Sequence, residues 1–254
     1  MIRVAPMADE RAKSVLGLVS PLLKLAIALV WLIGLAFTPR HLPPLAITAT
    51  TLAAGLVLGR TGPAALVRAL APLWIVAAVV VISNIVFGAP NTDPGATEIA
   101  RLGPLRVTSE AISTATALGL RVAAIASVGA VFALTTEPTR LVDALVQQAR
   151  VPERFGYGAL AAYQSIPRFA EDLTTLRQAR RIRGLRGSWH PRLLLGLLVL
   201  AIRHGDRVAL SMDARAFGSG PRSRFREVRW STLDLAVGVG SVAVLLGALV
   251  LTGR

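Results

Sequence analysis

Cysteine is absent from the whole of this 254-residue chain, which removes disulfides, thiolate metal sites and a cysteine nucleophile and leaves the redox compartment open. Lysine is nearly absent as well. Lys13 and Lys24 are the only two, so the basic residues, 28 against 14 acidic, are almost all arginine and give a net charge of +14. Of three histidines, His41 falls on the expected outer side, and His190 and His204 have no carboxylate or histidine at ligand spacing, so metal coordination is not expected. No phosphate loop exists, because Lys13-Ser14 has no glycines before it, and no serine sits in a Gly-x-Ser-x-Gly elbow. Gly238-Val239-Gly240-Ser241-Val242-Ala243 imitates a dinucleotide fingerprint but lies inside an apolar run without a strand–turn–helix context. With no cluster of acids, bases or metal ligands, no catalytic residue and no cofactor is expected.

Apolar sequence is abundant. At 54% hydrophobic residues and a mean hydropathy of +0.60, the chain belongs to the membrane class. Five runs are read as long enough to cross a bilayer core, which needs roughly 20 helical residues: Leu22–Thr38, Leu42–Gly59, Ala64–Gly88, Glu110–Leu134 and Thr232–Thr252. Pro39, Pro43 and Pro44 separate the first two, and Thr61-Gly62-Pro63 breaks the second from the third. Pro-Arg-His follows the first run in place of a small-residue cleavage site, so it is read as a span of the mature protein. The expected fold is all-α: a polytopic membrane protein with about five transmembrane helices. Residues 1–134 form an N-terminal tail and four-helix membrane region, 135–229 a cytoplasmic or interfacial helical region, and 230–254 a last transmembrane helix. Placing 135–229 in the cytoplasm puts Arg3, Arg11, Lys13 and Arg60 there too, in accord with the positive-inside rule. The Pro39–Pro44 turn, the Ala89–Val107 loop and the C-terminal Arg254 then lie outside.

The basic region reads as three helices. One is capped by Thr139 and runs to Ala149; one runs from Phe155 to Arg183, bent at Ile166-Pro167; one runs from Arg192 to Arg215. Leu193–Ile202 is too short and too closely followed by Arg203, Asp206 and Arg207 to be a sixth span. Two arginines stand at helix ends beside small residues, in Ile182-Arg183-Gly184 and Ala214-Arg215-Ala216. A permanent cation with a planar donor fork suits a carboxylate or carbonyl-lined groove on a partner, and the helix macrodipole favours it there by about 0.3–1 kcal/mol. Pairing with anionic lipid is the alternative. In the membrane region, Arg121 lies at mid-span, where charge is costly, and is read either as a structural contact within the bundle or as a contact for a partner subunit or gated cavity. Lys24 and Asn84 lie near span ends, where bonding to helix ends or snorkelling accounts for them. Gly55-x-x-x-Gly59 permits a close helix approach and suggests an interface.

The order of these features resembles the transmembrane coupling (T) component of energy-coupling factor (ECF) transporters, the EcfT/CbiQ-type family. The resemblance covers most of the chain. It is carried by Ser20-Pro21-Leu22-Leu23-Lys24-Leu25, Leu120-Arg121, Thr135-Thr136-Glu137-Pro138 with Leu141-Val142-Asp143-Ala144-Leu145, and Ser165-Ile166-Pro167-Arg168. Above all it rests on two Ala-Arg-Gly/Ser-type signatures about thirty residues apart, standing here as Ile182-Arg183-Gly184 and Ala214-Arg215-Ala216. Ile182 replaces the small first residue, Ala216 replaces Gly or Ser, and Gln164 replaces an arginine before Ile-Pro; Arg180 or Arg181 are alternative registers for the first signature. The resemblance implies a non-catalytic subunit of an ABC importer in a bacterial or archaeal plasma membrane. Its coupling-helix arginines would dock on two cytoplasmic ABC ATPase subunits. A separate membrane S component would bind the vitamin or transition-metal ion, and Gly184, Gly187 and Gly218 would act as hinges.

Two rivals are weaker. A self-contained secondary transporter needs paired ionisable groups at mid-membrane and often repeats, and only Arg121 is present. A nucleic-acid-binding anchor would use Trp189, Phe217, Phe225 and Trp230 among the arginines, but no nucleic-acid fold signature accompanies them.

Overall fold

A computed structural model of the chain describes residues 14–36, 41–93, 95–102, 105–185, 187, 190–218, 220 and 226–253. Arg3, Arg11, Lys13, Thr38, Pro39, Trp189, Phe225 and Arg254, to which the sequence assigns roles above, lie outside the described residues. Among the described residues the architecture is all-α apart from one small hairpin. In chain order the helices are α1 (Val15–Leu18), α2 (Pro21–Ala36), α3 (Leu42–Val57), α4 (Pro63–Phe87), α5 (Ser109–Thr135), α6 (Pro138–Gln147), α7 (Glu153–Gln164), α8 (Ile166–Ile182), α9 (Pro191–Asp213) and α10 (Thr232–Gly253). Between α4 and α5 lie a 3₁₀ turn (Ala89–Thr92) and the antiparallel strands β1 (Glu98–Leu102) and β2 (Leu105–Thr108). The Ala89–Val107 loop expected from sequence thus carries a short antiparallel hairpin. The chain divides into two compact units, one comprising the described residues up to Glu137 and from Arg229 onward, the other Pro138–Val228.

In the first unit α5 is the central helix, packed against α2, α3 and α4. Its buried positions are small for the most part, including Ala111, Ala115, Gly119, Ala124 and Ser127, which lets its neighbours approach closely. A Cβ at Gly119 would collide with the side chain of Val81 on α4. Trp31, Leu35, Ile47, Ala124, Val128 and Leu245 form one apolar cluster, and Leu66, Leu70, Ala130 and Val131 a second. Gly55 turns its open face to α5, where an added Cβ would lie 3.0 Å from Val131, and Gly59 does the same toward Thr135. The Gly-x-x-x-Gly face is thus used within the chain. Ile75, Val76, Val79 and Ile82 of α4 stay exposed, as a bilayer-facing helix requires.

Five apolar helices occupy the expected span positions, but their lengths differ. The stretch Pro63–Asn91 and α5 are long and apolar enough to cross a membrane; Pro21–Ala36, Leu42–Val57 and Thr232–Ala248 are shorter apolar segments. Sixteen helical residues cover about 24 Å against a hydrocarbon core of about 30 Å. The α9 run Leu193–Ile202 is not among the span candidates.

Polar groups tie the helix ends together. Lys24 is buried, and its Nζ donates to the carbonyl of Thr135 at 3.0 Å, placing a cation at the C-terminus of α5. Asn84 Nδ2 donates to Val80 O in its own helix at 2.9 Å. Asp234, 3% exposed, accepts from the N–H of Ser231 at 2.7 Å in a capping-box arrangement and, through its other oxygen, from the N–H of Ser20 at 2.7 Å. One carboxylate therefore starts α10 and fastens it to the α2 entrance.

In the second unit, the interruption at the expected Ile166-Pro167 bend is confined to Ser165, whose backbone stays helical and whose N–H and C=O still bond Ala161 O and Phe169 N–H. α7 ends before Ser165 and α8 restarts at Ile166, with proline in its first turn where a missing N–H costs nothing. α8 and α9 run antiparallel. Ser165 and Phe169 meet His204, at 3.1 Å (Oγ to Nε2) and at 5.9 Å between ring centroids, while Leu176 lies against Gly196.

Candidate functional site

The two arginine signatures sit at the C-termini of α8 and α9, and their backbones close in the same way. At the end of α8, Gly184 N–H donates to Arg181 O at 3.1 Å and Leu185 N–H to Arg180 O at 3.2 Å. At the end of α9, Ala216 N–H donates to Asp213 O at 2.9 Å and Phe217 N–H to Met212 O at 3.0 Å. These paired bonds define a Schellman motif, which satisfies carbonyls otherwise orphaned at a helix end. Aligning the motifs superposes Arg183 on Arg215 and Gly184 on Ala216. Each arginine immediately precedes the residue in left-handed backbone, φ +71° at Gly184 and +54° at Ala216.

The alignment bears on the open register. Arg180 and Arg181 supply the carbonyls that close the first cap, and only Arg183 stands where Arg215 stands in the second. Arg180 is partly buried, whereas Ile182, Arg183, Gly184, Ala214, Arg215 and Ala216 are all exposed. Ile182 reaches 86% exposure, so the bulk at this position, unlike the smaller Ala214, projects from the surface. Because α8 and α9 are antiparallel, the two arginines lie at opposite ends of the pair. The 17 residues of α8 alone separate those ends by about 25 Å.

Gly187 and Gly218, like Gly184, have positive φ, +99° and +79°. Arg121 lies 12 residues from the start and 14 from the end of α5, as expected at mid-span, and is half-buried. Trp230 is exposed and Phe217 partly buried, packed against an aromatic ring on α7.

Several structural residues were not anticipated from sequence. His190 opens α9, its Nδ1 accepting from Arg192 N–H at 3.1 Å; His204 serves the α7–α8 junction through Ser165; His41 Nε2 meets Ser113 Oγ at 3.2 Å. Asp234 could have been found from Ser231-x-x-Asp234, a capping-box spacing at the start of an apolar run. On α9, Leu194, Leu195, Leu198, Val199 and Ile202 form an exposed apolar stripe at helical spacing.

Relatives share much of this chain. It is similar to an energy-coupling factor transporter transmembrane protein EcfT from Heliobacterium modesticaldum, 27% identical over 198 residues that cover 71% of this chain and 72% of that protein. An EcfT from Acidaminococcus fermentans is 25% identical over 209 residues, 76% of each chain. A much longer protein from Bifidobacterium longum, named as an ABC transporter ATP-binding protein, is 28% identical over 156 residues; they are 55% of this chain but only 20% of that one. The family model described as cobalt transport protein, CbiQ, matches residues 12–226. That match takes in α1 to α9 and both arginine turns, and the chain belongs to the CbiQ family.

Proposed function

We propose that this chain is the membrane-embedded coupling subunit of an ECF-type ABC importer. It passes ATP-driven motion from cytoplasmic ATPases to a separate S component that carries a vitamin or a transition-metal ion, and it catalyses nothing itself. The observation that carries this reading is the equivalence of Arg183 and Arg215, two exposed cations in one cap geometry at opposite ends of a helix pair. A separation of about 25 Å suits two docking grooves, one on each subunit of an ATPase pair. Ile182, Arg183 and Gly184 form one docking end, Ala214, Arg215 and Ala216 the other. The relatives named EcfT support the transporter assignment, and the long relative named for ATP binding supports a partnership with ATPases.

The apolar stripe of α9 is the surface assigned to the S component. In this arrangement the N-terminus and α6–α9 face the cytoplasm, the β1–β2 hairpin and the C-terminus face outward, and Arg121 serves a contact within the bundle or with a partner.

The test is purification of the tagged chain from its native membranes in mild detergent, with mass spectrometry, for wild type and an Arg183→Glu/Arg215→Glu double variant. Wild type is expected to bring ABC ATPase subunits, and the variant to insert normally but lose them. Equal recovery by both would refute the docking assignment. A well-folded wild type that retrieves no ATPase would refute the coupling role itself.

A further inference from the structure

The two arginine turns share a backbone but differ in what holds them. After Arg215 the chain folds back onto α7, where Phe217 meets Tyr157 edge-on with centroids 6.4 Å apart and planes at 80°. The Tyr157 hydroxyl donates to Oδ1 of Asp143 at 2.9 Å, and Asp143 is buried on α6. Gly218 packs so closely on Arg154 of α7 that an added Cβ would lie 2.5 Å from its Nε. One turn beyond Asp143, Gln147 donates to Arg226 O at 2.8 Å and accepts from Val228 N–H at 2.9 Å. The α6–α7 hairpin thus grips the segment leaving the second turn near its start and again near its end.

The first turn has no such mount among the described residues. Leu185, which corresponds to Phe217, is 52% exposed, and a Cβ at Gly184 would meet open space. The contrast also explains the alanine at 216. An L-residue adopts left-handed backbone at a cost, and such strain persists where surrounding contacts over-determine the conformation.

Resting on the docking role assigned above, we infer that Phe217 and Tyr157 are positioning residues: they clamp the Arg215 turn to the α6–α7 hairpin and make it the fixed docking point, leaving the Arg183 turn as the compliant one. Neither residue touches the ATPase in this account. Each acts by holding Arg215 in a single orientation before the ATPase arrives, so that less freedom is lost on docking.

The absence of cysteine permits a direct test on the full chain. A nitroxide is attached at Gly220→Cys, beside the second turn, or at Leu185→Cys, in the first. Spectra are recorded for backgrounds carrying Phe217→Ala, Tyr157→Phe or Arg215→Glu, alongside capture of ABC ATPase subunits from native membranes. Phe217→Ala is expected to raise probe mobility at 220 but not at 185, and to lower capture about two- to tenfold, the range for loss of one aromatic pair. Tyr157→Phe keeps the ring and loses only the hydroxyl, so it carries the test should Phe217→Ala fail to fold; a smaller change in the same direction is expected. Loss of capture in Arg215→Glu, with both aromatic variants matching wild type in mobility and capture, would overturn the positioning role and leave docking intact. Mobility rising equally at both probes would overturn it too, because that marks general loosening. Full capture by Arg215→Glu would overturn the docking reading, and this inference with it.

Discussion

Ala216 concentrates the conflict between local preference and tertiary demand in this chain. Its φ of +54° is a conformation that glycine adopts without strain and alanine does not. Ala216→Gly should therefore raise stability by about 1 kcal/mol, less the greater freedom of glycine in the unfolded chain, while Gly184→Ala should lower it by about 1–2 kcal/mol. Thermal unfolding of both variants in one detergent checks the opposite signs. Asp234 makes a second residue-scale case. Asp234→Ala removes the acceptor for the N–H groups of Ser20 and Ser231 and should cost about 1–3 kcal/mol for the buried Ser20 donor left unpaired, the exposed Ser231 N–H turning to water, again read from thermal unfolding. The capping spacing of Asp234 was readable in the sequence. The left-handed alanine was not, because nothing in Ala-Arg-Ala signals positive φ; the clamp through Phe217 involves residues 60 positions upstream.

At the scale of elements, the apolar runs and proline breaks located every long helix, since period and punctuation are local properties. Two features escaped. The β1–β2 hairpin is held by cross-strand bonds and by Arg106, which pairs with Glu98 at 2.9 Å and donates to Asp93 O at 3.0 Å, contacts that Glu98-Ile-Ala-Arg-Leu alone does not announce. Arg183 and Arg215, near each other in sequence terms, stand at opposite ends because α8 and α9 pack antiparallel. Leu195→Asp/Leu198→Asp places two carboxylates in the α9 stripe and should abolish recovery of the small membrane S component while leaving ATPase recovery within about twofold. Quantitative mass spectrometry of the purified complex measures both, and loss of the ATPases together with the S component would contradict a division of surfaces.

For the whole molecule, the membership in the CbiQ family and the two compact units fit a protein with one region embedded and one region available to soluble partners. The orientation proposed for them predicts that Gly95→Cys, in the turn before β1, reacts with an impermeant maleimide in intact cells. Ser211→Cys, exposed on α9, should react only after permeabilisation. The reverse pattern would invert the topology.

In the proposed coupling role each arginine turn docks an ATPase. Photo-crosslinking from a benzophenone maleimide at Arg183→Cys and, separately, at Arg215→Cys in native membranes tests it most directly, since the chain has no competing thiol. An adduct with an ABC ATPase subunit is expected from each position. Adducts from neither position, in preparations where the same reagent at Leu198→Cys captures a membrane protein, would contradict it.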